Sequence, residues 1–281
     1  MIKKTILIIL ISLITLSIQA DEKIYTMVFV PASEKGDESD YTSLISITEK
    51  LTGFKINTIK VTDYNAAVES MRAGRAHIAW YGGKTYVKAA EIANAEAFAA
   101  GVRPGEKDAG YYTYFVVKKD SNLVEFEDVK GKILSLNTIG STSGDLIPQV
   151  ELNKIKLSIK NKDHFKNVFY AGSHDACLLA VLNNQADVCG MSSRNFEARL
   201  EDGTIKLENV RIIHKSDRVP PPPLAYSKLI PLEDRNKIKN AVLKAHKHGE
   251  IAGYGGKMSH YMEVKDSDYN VLRDVIALLN K

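Results

Sequence analysis

The sequence predicts an α/β protein built from two successive units, and three observations carry that prediction. Short β-rich runs with apolar alternation are separated by stretches whose apolar residues recur at helical spacing. The strand–helix alternation runs from Ile24 to Asp120 and then restarts at Val124. Glycines, prolines and N-cap residues punctuate the changes between elements.

The first unit opens with IYTMVFVPAS, a strand ended by Pro31. Tyr41 to Leu51 carries Leu44, Ile45, Ile47 and Leu51 on one helical face, and GFKINTIKV follows as an alternating strand. DYNAAVESMRAGRA reads as a helix that Asp63 caps and Gly74 stops. HIAWY is a short buried strand ended by Gly82 and Gly83, KTYVKAAEIANA a helix, and YYTYFVVKKD a long strand. Alternation of this kind argues for a parallel sheet covered by helices. In the second unit VEFEDV is a short helix, and ILSLN, HFKNVFYA and ADVCGM are strands. STSGDLIPQVELNK and SHDACLLAVLNNQ are the helices between them, and two more helices follow near 231–249 and 266–280. Four prolines, 220–223, form a rigid extended segment, read as a return crossing near a boundary between units.

The chain of 281 residues begins MIKKTILIILISLITLSIQADEK. Two lysines, an apolar run and a small residue at Ala20 make residues 1–20 a secretory signal peptide. The run is shorter than the roughly 20 residues that span a bilayer. Loss of Lys3 and Lys4 lowers the formal net charge from +4 to +2, too weak an excess to mark nucleic-acid binding. Export permits oxidation of Cys177 and Cys189. A bridge and two buried free thiols are both compatible with the sequence.

The most informative stretch is IGSTSGDLIP, 139–148, at a strand-to-helix turn. The first N–H groups of a helix lack intrahelical partners, and the helix dipole favours an anion there. Ser141, Thr142 and Ser143 add hydroxyl donors, and the flanking glycines let a ligand approach the backbone. The turn therefore reads as a seat for a small oxyanion. It is not a phosphate-binding loop of the GxxxxGK type, since no lysine follows the glycine. GSTSG has the spacing of a nucleophile elbow, but places Thr142 where the serine should stand.

Taken with TDYNAAVESMRAGRAHIAWYGGKTY (62–86), GYYTYFVVKKDS (110–121), FEDVKGK (126–132), GSHDACLLAVLNNQADV (172–188) and VKDSDYNVLRDV (264–275), the chain resembles the periplasmic phosphate/phosphite/phosphonate-binding proteins of ABC importers. The resemblance implies a two-lobed type II periplasmic binding protein, each lobe a mixed sheet flanked by helices, with the ligand in the cleft. Lobe 1 would comprise 21–117 and 218–281, and lobe 2 118–217, with hinges near 115–120 and 213–220. The ligand would be phosphite, phosphate or a short alkylphosphonate, held by Ser141, Thr142, Ser143 and His174 from one lobe and Tyr64 and Tyr111 from the other. Tyr81 and Arg194 are further candidates. The implied protein is a monomer that docks on an inner-membrane permease, is not an enzyme, and uses no cofactor, metal or nucleic acid.

Relatives that take aminoalkyl phosphonates hold the amine with carboxylates, and here Arg194 and Pro222 fall at or near those places. Glu197 and Asp217 lie close by. Arg194 reads as a solvated surface residue or as a partner of the anion. His174 and Cys177, three apart on one helix, are a spacing that a soft metal or arsenite uses. Two other functions fit the same residues: a sensor subunit signalling to a membrane histidine kinase, and a hydrolase using Ser141 or Ser143 with His174 or His164 as base.

Overall fold

The computed structural model describes residues 22–32 and 40–279. The leader assigned to residues 1–20 lies outside them. In chain order the first lobe supplies β1 (Ile24–Phe29), α1 (Thr42–Thr52), β2 (Lys55–Ile59), α2 (Tyr64–Arg72), β3 (Ile78–Trp80), α3 (Gly83–Ile92) and β4 (Ala95–Val102). The second supplies β5 (Thr113–Lys118), β6 (Ile133–Leu136), α4 (Ile147–Lys154), β7 (Asn167–Tyr170), α5 (His174–Leu182), β8 (Val188–Ser192), α6 (Ser193–Glu201) and β9 (Val210–Lys215). The chain then returns to the first lobe as β10 (Leu224–Ser227), α7 (Leu232–Lys244), β11 (Ile251–Gly253), β12 (Gly256–Met258), β13 (His260–Glu263) and α8 (Asn270–Leu279).

Both lobes are mixed sheets flanked by helices. The first is ordered β13-β4-β10-β3-β1-β2, and the second β7-β6-β8-β5-β9. β1 pairs in parallel with β2 and β3, as the alternation predicts. The returning β10 inserts antiparallel between β3 and β4, and β13 covers β4 antiparallel. Each lobe has its own apolar interior: Val28, Trp80, Phe98 and Tyr226 belong to that of the first, and Phe115, Leu134, Leu136 and Val188 to one face of the second sheet.

The boundary between the lobes differs from the sequence reading. β5 is hydrogen-bonded between β8 and β9, so the first crossing ends before Thr113. Residues 115–118 are thus strand interior and not hinge. The crossings run side by side at 103–112 and 216–223, joined by Tyr111 N–H to the Val219 carbonyl (3.2 Å) and Val219 N–H to the Tyr111 carbonyl (2.8 Å). Arg218 ties them further through Asp108 and the Tyr112 hydroxyl.

Cys177 on α5 and Cys189 on β8 are disulfide-bonded, with Cα atoms 5.6 Å apart and both residues fully buried. The bond pins α5 to its sheet. It also removes the Cys177 thiol from any metal pairing with His174, because a bridged sulfur has no thiolate to offer.

Candidate functional site

The STSGD segment departs from the expected α-helix start. Ser141 is extended and caps the turn, accepting Gly144 N–H on its Oγ at 3.1 Å. Thr142–Leu146 then wind as one wide π turn, closed by Leu146 N–H to the Ser141 carbonyl, before α4 begins. Such turns recur at functional sites because they re-aim the backbone. Gly144 is required here: a Cβ on it would stand 2.3 Å from Asn137 Cβ and 3.0 Å from His174 Cε1.

A cavity of about 10 Å³, room for roughly one water, lies where this turn meets the first lobe. Ser141, Thr142, Ser143 and His174 line it from the second lobe, and Tyr64, Trp80 and Tyr254 from the first. Tyr111 and Pro222 enter from the two crossings. The six residues singled out by resemblance thus converge on one point. Trp80 and Tyr254, whose rings are 4.8 Å apart, form an aromatic wall. Tyr254 was not foreseen from sequence; an aromatic between glycines in GYGG, at a hairpin tip, was the available signal.

The polar groups around the cavity are neutral donors. Burial drives the His174 imidazole down to about 3, so the ring is uncharged at neutral pH. Its Nδ1 accepts Ser192 N–H at 3.3 Å, which leaves the proton on Nε2. Burial pushes the Tyr111 phenol up, against hydrogen bonds from Ser143 and Thr142, and it stays protonated. The arrangement offers hydroxyl, phenol and imidazole N–H groups to an oxyanion and no ion pair.

The turn is also locked to the opposite lobe. α3 starts at Gly82, which has no side chain to cap it, and Thr142 Oγ1 accepts Lys84 N–H instead, at 2.9 Å. Thr85 Oγ1 donates to the Gly140 carbonyl at 3.0 Å. Lys84 Nζ reaches buried Asp145 at 2.6 Å. Asp145 also accepts from Gly140 N–H, Gln149 and Tyr170. Thr142 therefore serves both the cavity and the seam.

The remaining candidates lie elsewhere. Tyr81 is buried, directs its hydroxyl to the Ala67 carbonyl, and does not line the cavity. Arg194 is neither solvated nor at the cavity: at 2 % exposure it bonds the Ala109 carbonyl (2.8 Å), the Gly101 carbonyl (3.2 Å) and Glu106 (3.3 Å). A Cβ on Gly255 would stand 2.9 Å from Arg194 Cβ, so a glycine is what fits against this residue. Glu197 is held by Arg103 and Tyr114, and exposed Asp217 by Lys154. His164 packs in a loop, accepting Ser158 N–H.

Two mixed-sheet lobes joined by paired crossings define a type II periplasmic binding protein. The chain belongs to the family described as the periplasmic substrate-binding protein of phosphonate ABC transporters, whose model matches residues 27–269. It is 31% identical over 211 residues to the phosphonates-binding periplasmic protein of Escherichia coli, an alignment covering 73% of this chain and 61% of that one. The chain thus spans under two thirds of that relative's length. Its fold is that of a binding-protein component of a phosphonate ABC transporter from Pseudomonas aeruginosa (TM-score 0.76, 24% identity, 91% of this chain and 86% of that one). It is equally that of a Prochlorococcus marinus protein in complex with methylphosphonate (TM-score 0.79, 20% identity, 92% and 99%).

Proposed function

We propose that the chain is the solute-binding component of an ABC importer, exported by its leader, and that it captures phosphite, phosphate or a short alkylphosphonate between its lobes for delivery to a permease. The observation that carries this reading is the convergence of Ser141, Thr142, Ser143, His174, Tyr64 and Tyr111 on one cavity at the seam. Neutral donors there suit a tetrahedral oxyanion, which the lobes would have to part slightly to admit, since the cavity as it stands has room for roughly one water. The family and the methylphosphonate complex of the Prochlorococcus marinus protein support the same class of ligand.

Capture needs no chemistry. The ligand favours the closed arrangement by its extra affinity for it, because only there do donors of both lobes face it. A thermal-shift panel of phosphite, phosphate, methylphosphonate, aminoethylphosphonate, sulfate and arsenite tests the reading. A ligand at a hundredfold excess over Kd stabilises by about 2.7 kcal/mol, which raises Tm by roughly 5–10 °C in a chain of this size. Shifts with phosphorus oxyanions support the proposal; shifts with none of them overturn it.

A further inference from the structure

Resting on that reading of the site, we infer that the cavity takes its phosphorus oxyanion as the monoanion, with one proton retained, and discriminates against the dianion. The charge pattern around the cavity points there. None of the described residues lining it carries a formal charge. The tyrosines and hydroxyls are neutral. His174 has its Nδ1 occupied by Ser192 N–H, so a second proton on the ring would displace that bond.

The charged groups one layer out are already paired. On the turn itself, Asp145 is matched by Lys84 at 2.6 Å. Behind the crossings, Arg194 is matched by Glu106 at 3.3 Å, and Arg103 by Glu197 at 2.8 Å. No unpaired cation among them is left to answer a second negative charge.

Two physical consequences follow for a ligand. The cost of removing an ion from water grows with the square of its charge, while what neutral dipoles return grows only linearly. The retained proton, by contrast, has acceptors: serine, threonine and tyrosine hydroxyls accept as well as donate.

The test is titration calorimetry of the exported chain from about pH 5.5 to about pH 9, a range that spans the second ionisation of methylphosphonate and most protein histidines. Methylphosphonate, hypophosphite, the monomethyl ester of methylphosphonic acid, and sulfate are the probes. Hypophosphite and the ester remain monoanions throughout, and sulfate remains a dianion. The proposal expects methylphosphonate affinity to hold steady until its second ionisation and then to fall about tenfold per pH unit, because only the competent fraction binds. The permanent monoanions should bind with little pH dependence, which separates ligand titration from protein titration, and sulfate should bind at least tenfold more weakly than they do. Methylphosphonate affinity that is flat or rises through that ionisation overturns the inference while leaving the proposed function standing. Failure of methylphosphonate, phosphite and phosphate to bind at any pH overturns both.

Discussion

Lys84 Nζ of the first lobe stands 2.6 Å from Asp145 Oδ2 of the second, on the same turn that lines the cavity. The bond exists only while the lobes are together. Lys84 does not line the cavity. Lys84→Met should therefore weaken ligand binding without removing a ligand contact, since closure would leave Asp145 buried and unpaired. The full penalty for such a charge is about 3–5 kcal/mol. Asp145 keeps three other donors and Lys84 is partly exposed, so the expected loss is about tenfold in affinity. The double variant Lys84→Met/Asp145→Asn should recover most of it. Equal losses in both variants, measured by calorimetry, would contradict this role.

Aminoethylphosphonate should bind at least about tenfold more weakly than phosphite or methylphosphonate, because a desolvated ammonium without a partner costs several kcal/mol. Pro222 lines the cavity and offers no charge, while Glu197 and Asp217 are engaged by Arg103 and Lys154 away from it. Competition calorimetry decides the point, and equal or tighter binding of the amino compound would mean that a carboxylate reaches it.

The stability of the unliganded protein should fall with acid through His174. Its folded-state value is depressed to about 3, against 6.5 for the unfolded residue. Between those values the unfolded chain binds one more proton than the folded one, so stability is present above 6.5 and declines as pH drops. The slope from this residue is about 1.4 kcal/mol per unit. His174→Gln should flatten the decline between about pH 5 and about pH 6.5, the part of the window above most carboxylate titration. Chemical denaturation at several pH values measures it, and an unchanged slope would refute it.

The Cys177–Cys189 bond closes a short loop, with a sequence separation of 12. Chain entropy then assigns it about 3 kcal/mol of stability. Cys177→Ala/Cys189→Ala should unfold at correspondingly lower denaturant, with its fold retained because both residues are buried in an intact apolar cluster. A double variant as stable as the parent would show that the bond constrains little.

The helices and parallel strands were legible because their apolar spacing is local. Asp63 caps α2 as its sequence suggests, accepting Ala66 N–H at 2.9 Å. β4 was not legible: the sequence reading ended a helix at Ala95 and assigned no element to the alanine-rich stretch after it, and AEAFAAGV is a strand because β10 and β13 supply backbone partners from more than 100 residues away. The same long-range pairing hid β10 and β13, and α6 followed ADVCGM without a distinct break. Arg194 was misplaced for a related reason. A lone arginine reads as surface, and its burial depends on carbonyls of Gly101 and Ala109, which only the crossing brings near. The candidate site was legible chiefly through the order of its motifs. The seam between Thr142 and Lys84 was not, since nothing local in GGKTY shows that its helix lacks a cap of its own.

The most direct measurement is calorimetric titration of the exported chain and of Ser141→Ala/Ser143→Ala with phosphite and methylphosphonate near neutral pH. Each lost hydrogen bond to a charged group is worth roughly 1.5–3 kcal/mol, and Ser141 also caps its turn. The account predicts saturable one-to-one binding by the parent and a loss of at least about tenfold in the folded variant. Absence of binding by the parent, or a dissociation constant unchanged in the variant, would contradict it.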